Sequence, residues 1–567
     1  MLKFRIKTDA QGNKFLETPA NGKALLSIAQ LNKGTAFTME ERHEFDVLGK
    51  LPARIETLAE QTERAYQQYS NFAKRTNRNI YLNQLLNHNQ ILFYNLVKQH
   101  TEEMLPNIYT PIVGDFVRDF HKRFITPRGL YISFEDQDYI DEILENRTNE
   151  EIDLIVVTDG EGVLGIGDQG IGAMAIPLAK LMVYTIFGGV DPNKTLPIML
   201  DVGTNNQKLL EDPLYLGWIH SRIEGEEYYQ FIDKLIKSIK KKFPHVFLHW
   251  EDFGRANAYR NYMTYRNEIC SFNDDMQGTG VVALAAILSA IQITYSLLPD
   301  QRIVVFGGGT AGMGVTESIY RALLQMGLTP EEAAQRFWIV DREGLLTENI
   351  KEITHAQKPF VRKAADIQHW QIKDKNKIEL YEVVKHVKPT ILIGCSAKQG
   401  AFQQHIVTEM AHHVKHPIIL PLSNPNEYVE AVPQDLIEWT DGQALIATGS
   451  PFDPVQYKGK TYFISQCNNY HAFPGIGLGV ISIGAKHLSD SMLSAASQAL
   501  ATFSYEHSAG LLPSIAQACE ASKQIAYAVA ETAIKEGRNG IPIDKPIHEL
   551  IAQNYWEPEY LPYKKSP

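Results

Sequence analysis

The sequence predicts an α/β protein with a helical N-terminal domain, a parallel-sheet domain expected to be catalytic, and a Rossmann-type dinucleotide-binding domain. Three observations carry this expectation. Ile55, Leu58 and Ala59, then Ala65, Tyr66 and Tyr69, recur at helical spacing between charged residues. From Asp153 onward, short β-rich runs alternate with helical ones, the texture of a parallel sheet covered by helices. Further on, Arg302-Ile303-Val304-Val305-Phe306 leads into Gly307-Gly308-Gly309-Thr310-Ala311-Gly312, a G-x-G-x-x-G that opens a helix.

At 567 residues the chain exceeds one core, and about 150 residues per domain suggests roughly three or four segments. The boundaries read as 1–127, 128–274, 275–468 and 469–567. In the first segment, Thr38 and Glu41 form a capping box for a helix. The helices close near Leu105-Pro106-Asn107-Ile108-Tyr109-Thr110-Pro111, where two prolines bracket Tyr109 in a stretch that cannot continue as regular helix. Taken alone, Tyr109 reads as a loop anchor. In the second segment, the strand Leu154-Ile155-Val156-Val157-Thr158 precedes a glycine-rich loop running from Asp159 to Gly170. A helix from about Met174 to Phe187 then places Lys180 among apolar neighbours. A lysine there either snorkels outward or has a task, since burial lowers an amine's pKa and makes it a usable base.

Two pairs of adjacent acids end apolar runs: Glu251-Asp252 after Val246-Phe247-Leu248-His249-Trp250, and Asp274-Asp275 after Cys270-Ser271-Phe272-Asn273. Adjacent carboxylates repel and are held together only beside a cation. Up to four oxygen donors suit Mg²⁺ or Mn²⁺. The plainer alternative is two solvated acidic turns. The following stretch, Gly278 to Leu298, is free of formal charge and long enough to cross a membrane. It carries Thr279, Ser289, Gln292, Thr294 and Ser296 and runs straight into a strand, so a buried helix is expected.

In the dinucleotide unit, Gly307, Gly309 and Gly312 let backbone and helix N-terminus meet a pyrophosphate, and Asp341 closes Phe337-Trp338-Ile339-Val340 where an adenosine ribose would bind. Asp341 would repel a 2′-phosphate, which favours NAD over NADP. Later strands end in turns such as Leu422-Ser423-Asn424-Pro425, helices return from about Ile481 to Glu536, and the tail from Trp556 to Pro567 reads as a surface tail or interface strap.

A net charge of −11 argues against nucleic-acid or anionic-membrane binding, which are mostly cationic effects. The tight basic run Lys240-Lys241-Lys242 is expected to be a solvated helix end. Four cysteines without CxxC spacing suit a reducing compartment, and Met1 to Asp9 holds no signal-peptide core, so a cytoplasmic location is expected.

Tyr109-Thr110-Pro111, the glycine-rich loop before Lys180, Glu251-Asp252-Phe253, Phe272-Asn273-Asp274-Asp275-Met276-Gln277-Gly278-Thr279, Leu422-Ser423-Asn424-Pro425 and Asn468-Asn469 before Phe473-Pro474-Gly475 resemble the malic enzyme family in order and spacing. The likeness covers nearly the whole chain. It implies that Glu251, Asp252 and Asp275 bind the metal, that Lys180 is the general base tuned by Asp274, and that Tyr109 is the general acid. Asn424 and Asn468 would contact L-malate, with Asn424 also on the cofactor side. The implied activity is NAD-dependent oxidative decarboxylation of L-malate by a homodimer or homotetramer. One position departs. Pyruvate-releasing members usually have an arginine after the loop glutamate, whereas Gly162 follows Glu161 here. That glycine, with His249-Trp250-Glu251-Asp252-Phe253-Gly254-Arg255, resembles malolactic enzymes, which make lactate from malate. A non-catalytic NAD or dicarboxylate sensor is the reading from another class.

Overall fold

A computed structural model describes residues 4–566, apart from Leu164, Lys373, Lys375 and Asn376. Leu164 of the glycine-rich loop and Pro567 of the tail therefore lie outside the described residues. Two units are distinguished by their internal contacts: Met1–Gly160, Gln169–Pro244 and Gln553–Pro567 form the first, Glu161–Asp168 and His245–Ala552 the second.

The first unit begins with strands where only helix was expected. β1 (Arg5–Thr8) and β2 (Lys14–Thr18) pair antiparallel, and the chain's last strand, Tyr563–Lys565, pairs parallel with β2, Tyr563 opposite Leu16. The reason is non-local. Leu16 and Thr18 alternate with the half-buried Phe15 and Glu17 in β2, but their partner comes from the far end of the chain. Tyr563 joins Leu16, Leu25, Leu31, Phe37, Phe45 and Val47 in one apolar core, so the tail is built into the fold.

Beyond this sheet the first unit is mostly helical. The Thr38–Glu41 capping box forms as expected. A second box, Thr57 with Glu60, starts α1 (Leu58–Ser70), followed by α2 (Arg75–His88) and α3 (Gln90–Gln99), the last capped by Asn89. Next in the chain, a parallel array places β5 (Thr195–Asp201) between β3 (Leu130–Ser133) and β4 (Leu154–Thr158). α4 (Ala175–Gly188) follows a tight turn at Gly170–Met174 and stops at Gly189, whose φ of 59° is the left-handed conformation that glycine adopts without strain. α5 (Gly225–Lys242) has Glu226 and Glu227 in its first turn and the lysine triplet in its last, matching the helix dipole at both ends.

In the second unit, β6 (Phe247–Trp250) and β7 (Ser271–Asn273) pair parallel across α6 (Arg255–Tyr265). The charge-free stretch becomes α7 (Thr279–Thr294), and 72% of its membrane-length window is buried inside the protein. A helix apolar on all sides must be covered on all sides.

Seven strands then form one sheet in the order β10-β9-β8-β11-β12-β13-β16. They are β8 (Ile303–Phe306), β9 (Phe337–Asp341), β10 (Gly344–Leu345), β11 (Ile391–Gly394), β12 (Ile418–Pro421), β13 (Leu445–Thr448) and, after the hairpin β14 (Val455–Tyr457) and β15 (Lys460–Tyr462), β16 (Ser465–Gln466). α8 (Thr310–Gln325) leaves β8 towards β9, while β11 lies on β8's other side. This reversal opens a crevice at the carboxyl ends of β8 and β11, where such sheets bind ligands. The returning helices are α9 (Phe473–Ser482), α10 (Asp490–His507) and α11 (Ala518–Lys535); α7 packs on α8 and α10.

Candidate active site

Strand register builds the acidic cluster. His249 pairs with Phe272 and Trp250 with Asn273 in parallel register. The next residues, Glu251-Asp252 on one strand and Asp274-Asp275 on the other, therefore emerge side by side at the carboxyl ends of β6 and β7. Carboxylate oxygens of Glu251, Asp252 and Asp275 lie within 4.8 Å of one another, and Glu251 and Asp252 are buried. Two like charges 4 Å apart repel by about 4 kcal/mol even at an effective dielectric of about 20. Three oxygen donors converging in this way fit a hard divalent cation such as Mn²⁺ or Mg²⁺.

The local backbone serves this arrangement. Asp252 sits at φ 56°, a left-handed conformation sparsely used by residues other than glycine, and its N–H donates to Asp275 Oδ2 at 2.9 Å. The chain then makes a π-turn, Asp274–Gly278, before α7 begins. Gly278 is needed there, because a Cβ would run into the Asp274 carboxylate. Asp274 is fully buried, and its Oδ2 accepts from Asn469 Nδ2 at 3.0 Å. His249, also fully buried, holds its Nε2 2.6 Å from Glu251 Oε2 and so fixes the orientation of that carboxylate.

Gly162 packs backbone against backbone on this loop. Its N–H donates to the Asp252 carbonyl at 2.9 Å, and a Cβ would lie 2.9 Å from the Phe253 carbonyl oxygen. Glu161 Oε2 accepts from Asn257 Nδ2 at 3.0 Å, and Gly254 leaves room for that carboxylate. Gly162→Arg is therefore expected to displace the loop rather than restore a family feature. Overpacking of this kind costs about 1–3 kcal/mol, so Mn²⁺ affinity should fall about tenfold in an electron-paramagnetic-resonance titration. Unchanged affinity would show that the loop yields freely.

The dinucleotide turn is equally close-packed. Gly307, at φ 108°, lies against the Cys395 carbonyl, and a Cβ on Gly312 would press on the Gly307 carbonyl. Gly309 is the residue from which α8 starts. Arg255 Nη2 lies 3.0 Å from where a Gly309 Cβ would stand. Arg255 is the first residue of α6, where a cation opposes the dipole of its own helix. That misplacement was a signal in the sequence, and it points the guanidinium at the place a pyrophosphate would occupy. For an exposed group worth about 1 kcal/mol, Arg255→Ala should weaken NADH binding about fivefold by fluorescence titration, and more at low salt. No change would remove Arg255 from the cofactor site.

Sequence reasoning also missed Gln357. It is buried, and its Nε2 donates to the Gly308 carbonyl at 3.0 Å and to Asp341 Oδ2 at 3.4 Å, linking the glycine turn to the acid at the end of β9. It sits in a loop without motif, so no local pattern announced it. Asn424 projects beyond β12, where its Oδ1 accepts from Ser450 Oγ at 2.5 Å; the Asn468 Oδ1 accepts from the Tyr470 N–H at 3.2 Å.

Tyr109 and Lys180 belong to the first unit. Both are buried, and Lys180 Nζ lies 5.5 Å from the centre of the Tyr109 ring. Tyr109 is held between a turn at Leu105–Asn107 and the helix Val113–Arg118, and Lys180 projects from the middle of α4.

The chain is similar to known proteins along nearly its whole length. The family model described as malic enzyme, N-terminal domain, matches residues 86–266, and that described as malic enzyme, NAD binding domain, matches residues 276–534. The chain is 46% identical to the NAD-dependent malic enzyme of Proteus mirabilis over 564 residues, 99% of this chain and 100% of the relative. It is also 46% identical to the NAD-dependent malic enzyme of Acinetobacter baylyi, over 97% of this chain and 98% of that one. Among solved structures, the Entamoeba histolytica malic enzyme aligns with a TM-score of 0.55 at 19% identity over 90% of each chain. The Pyrococcus horikoshii malic enzyme gives 0.54 at 22% identity, over 80% of this chain and 88% of its own. These last two speak for the fold. The full-length relatives favour malic enzyme over the malolactic alternative despite Gly162. With the carboxylate cluster, the dinucleotide turn and two family models in their expected order, this chain belongs to the malic enzyme family.

Proposed function

We propose that this chain oxidatively decarboxylates L-malate to pyruvate and CO₂, reducing NAD⁺ to NADH and requiring Mn²⁺ or Mg²⁺. The observation that carries the reading is the convergence of Glu251, Asp252 and Asp275 at the ends of β6 and β7, in a chain 46% identical throughout to NAD-dependent malic enzymes. When bound, the metal would polarise the C2 oxygen of malate as a Lewis acid and the nicotinamide would accept a hydride.

Lys180 removes the proton of the C2 hydroxyl, and Tyr109 returns a proton to C3 once CO₂ has left. Asp274 tunes Lys180. Asn424 and Asn468 orient malate, with Asn424 also meeting the cofactor. Gly307, Gly309 and Gly312 admit the pyrophosphate, and Asp341 accepts hydrogen bonds from the adenosine ribose. A homodimer or homotetramer is the proposed assembly, supported by Leu214, Leu216 and Ile219, three half-exposed or more exposed apolar residues in one short stretch. The four free cysteines support a cytoplasmic setting.

Incubation with L-malate, NAD⁺ and Mn²⁺, followed by separate assays of NADH, pyruvate and lactate, tests the reaction. Pyruvate and NADH in equal amounts are expected. Malate consumed without NADH would overturn the reading.

A further inference from the structure

We propose that Glu430 is a positioning residue for Asn424, its buried carboxylate tying together the loops at the ends of β11 and β12. The proposal rests on the reading of Asn424 as a malate contact.

Glu430 is fully buried, and among the described residues no lysine, arginine or histidine pairs with it. A carboxylate taken out of water without a cation must find its compensation in hydrogen bonds. Here all of them come from two loops. Oε1 accepts from the Ser396 N–H at 2.8 Å, Ser396 Oγ at 2.9 Å and Ser423 Oγ at 2.5 Å; Oε2 receives the Ser423 N–H at 3.4 Å. Ser423 Oγ in turn accepts from the Ala397 N–H at 2.9 Å. That bond holds Ala397 at φ 52°, a conformation a residue with a Cβ keeps only when its surroundings fix it.

The two loops follow strands that are neighbours in the sheet, Gly394 opposite Pro421. Gly394 is itself cut to fit, because a Cβ would come within 2.6 Å of the Glu430 Cδ. Ser423 immediately precedes Asn424. The side chain of Asn424 is tethered on its other side by Ser450, beyond β13. Its amide is thus located from three successive strand ends, and Glu430 supplies the link to the first. The same negative charge, after burial, helps push the Cys395 thiol well above its ordinary pKa, which keeps a nucleophile beside the glycine turn inert. Glutamine would fit the space and could keep its oxygen towards Ser396 and the Ser423 hydroxyl, but it would remove the charge that strengthens those bonds and turn its amide N–H₂ towards the Ser423 N–H.

The test measures malate KM, kcat and Mn²⁺ affinity for Glu430→Gln, Asn424→Ala and the double variant. Glu430→Gln is expected to raise malate KM about tenfold while Mn²⁺ affinity stays near wild type, because the charge-assisted bonds it weakens reach only the loops after β11 and β12. If Glu430 acts through Asn424, the double variant should be no worse than Asn424→Ala alone to within about twofold. Independent, multiplying effects would overturn the proposal and leave the reading of Asn424 intact, as would an unchanged KM in Glu430→Gln beside a raised KM in Asn424→Ala. An Asn424→Ala enzyme with wild-type KM would remove the malate contact, and the proposal with it. Should Glu430→Gln fail to fold, Ser423→Ala carries the same comparison: it removes the hydroxyl between carboxylate and Ala397, and a KM equal to wild type would count against the proposal.

Discussion

Asp275→Ala is expected to lower kcat/KM for malate about 10³-fold, because a Lewis-acid contribution of several kcal/mol depends on the ligand set it removes. Asp275 is the least buried of the three carboxylates and the one contributed by β7, so its loss leaves Glu251 and Asp252 on a single strand end. It also frees the Asp252 N–H, which otherwise donates to Asp275 Oδ2 and helps hold Asp252 in its left-handed conformation. The variant should therefore lose both a ligand and the geometry of its neighbour. Titration of free Mn²⁺ by electron paramagnetic resonance separates these effects from catalysis. Wild-type Mn²⁺ affinity in Asp275→Ala would exclude it from the metal site. Asp275→Asn, which keeps the shape and a carbonyl acceptor, should retain Asp252 in place while still losing affinity, because the charge is gone.

Lys180→Ala is expected to reduce kcat by about 10²–10⁴-fold, the usual contribution of a positioned general base. Its amine lies at the face of the Tyr109 ring, on a side chain that starts in the middle of an almost wholly buried helix. Mn²⁺ and NADH affinities should be retained, and methylamine added to the Lys180→Ala enzyme should restore part of the lost rate by occupying the space the side chain leaves. A drop below tenfold, or loss of both affinities together with activity, would mean that Lys180 holds α4 in place and takes no proton.

The acidic cluster was legible because its determinants are local. Two short apolar runs ending in acids specify two parallel strands, and register brings the acids together. The glycine turn was legible for the same reason, each glycine answering a close approach within one strand-turn-helix unit. Lys180 stood out as a charge inside an apolar helix. Other residues gave no such sign. Gln357 meets Gly308 and Asp341 through a loop with no periodicity, and nothing separates Glu430 from the rest of the chain's 66 acids until β11 and β12 are placed side by side. Asn469 was read only as part of a motif beside Asn468, yet its side chain donates to Asp274. Arg255 alone left a trace, a cation on the wrong end of its helix.

The small sheet of β1 and β2 cannot be completed until Tyr563 has been made. β2 waits for Tyr563, and Tyr563 brings more than backbone pairing: its N–H donates to Glu41 Oε1, its hydroxyl to the Leu31 carbonyl, and Lys33 lies 4.1 Å above its ring. On a ribosome adding about 5–20 residues per second, the first fifty residues would be exposed for roughly half a minute or longer before their partner existed. Completion of this corner thus waits on synthesis of the whole stretch between β2 and Tyr563. Until Tyr563 arrives, β2 keeps one open strand edge, a row of unpaired backbone groups on which another chain could pair.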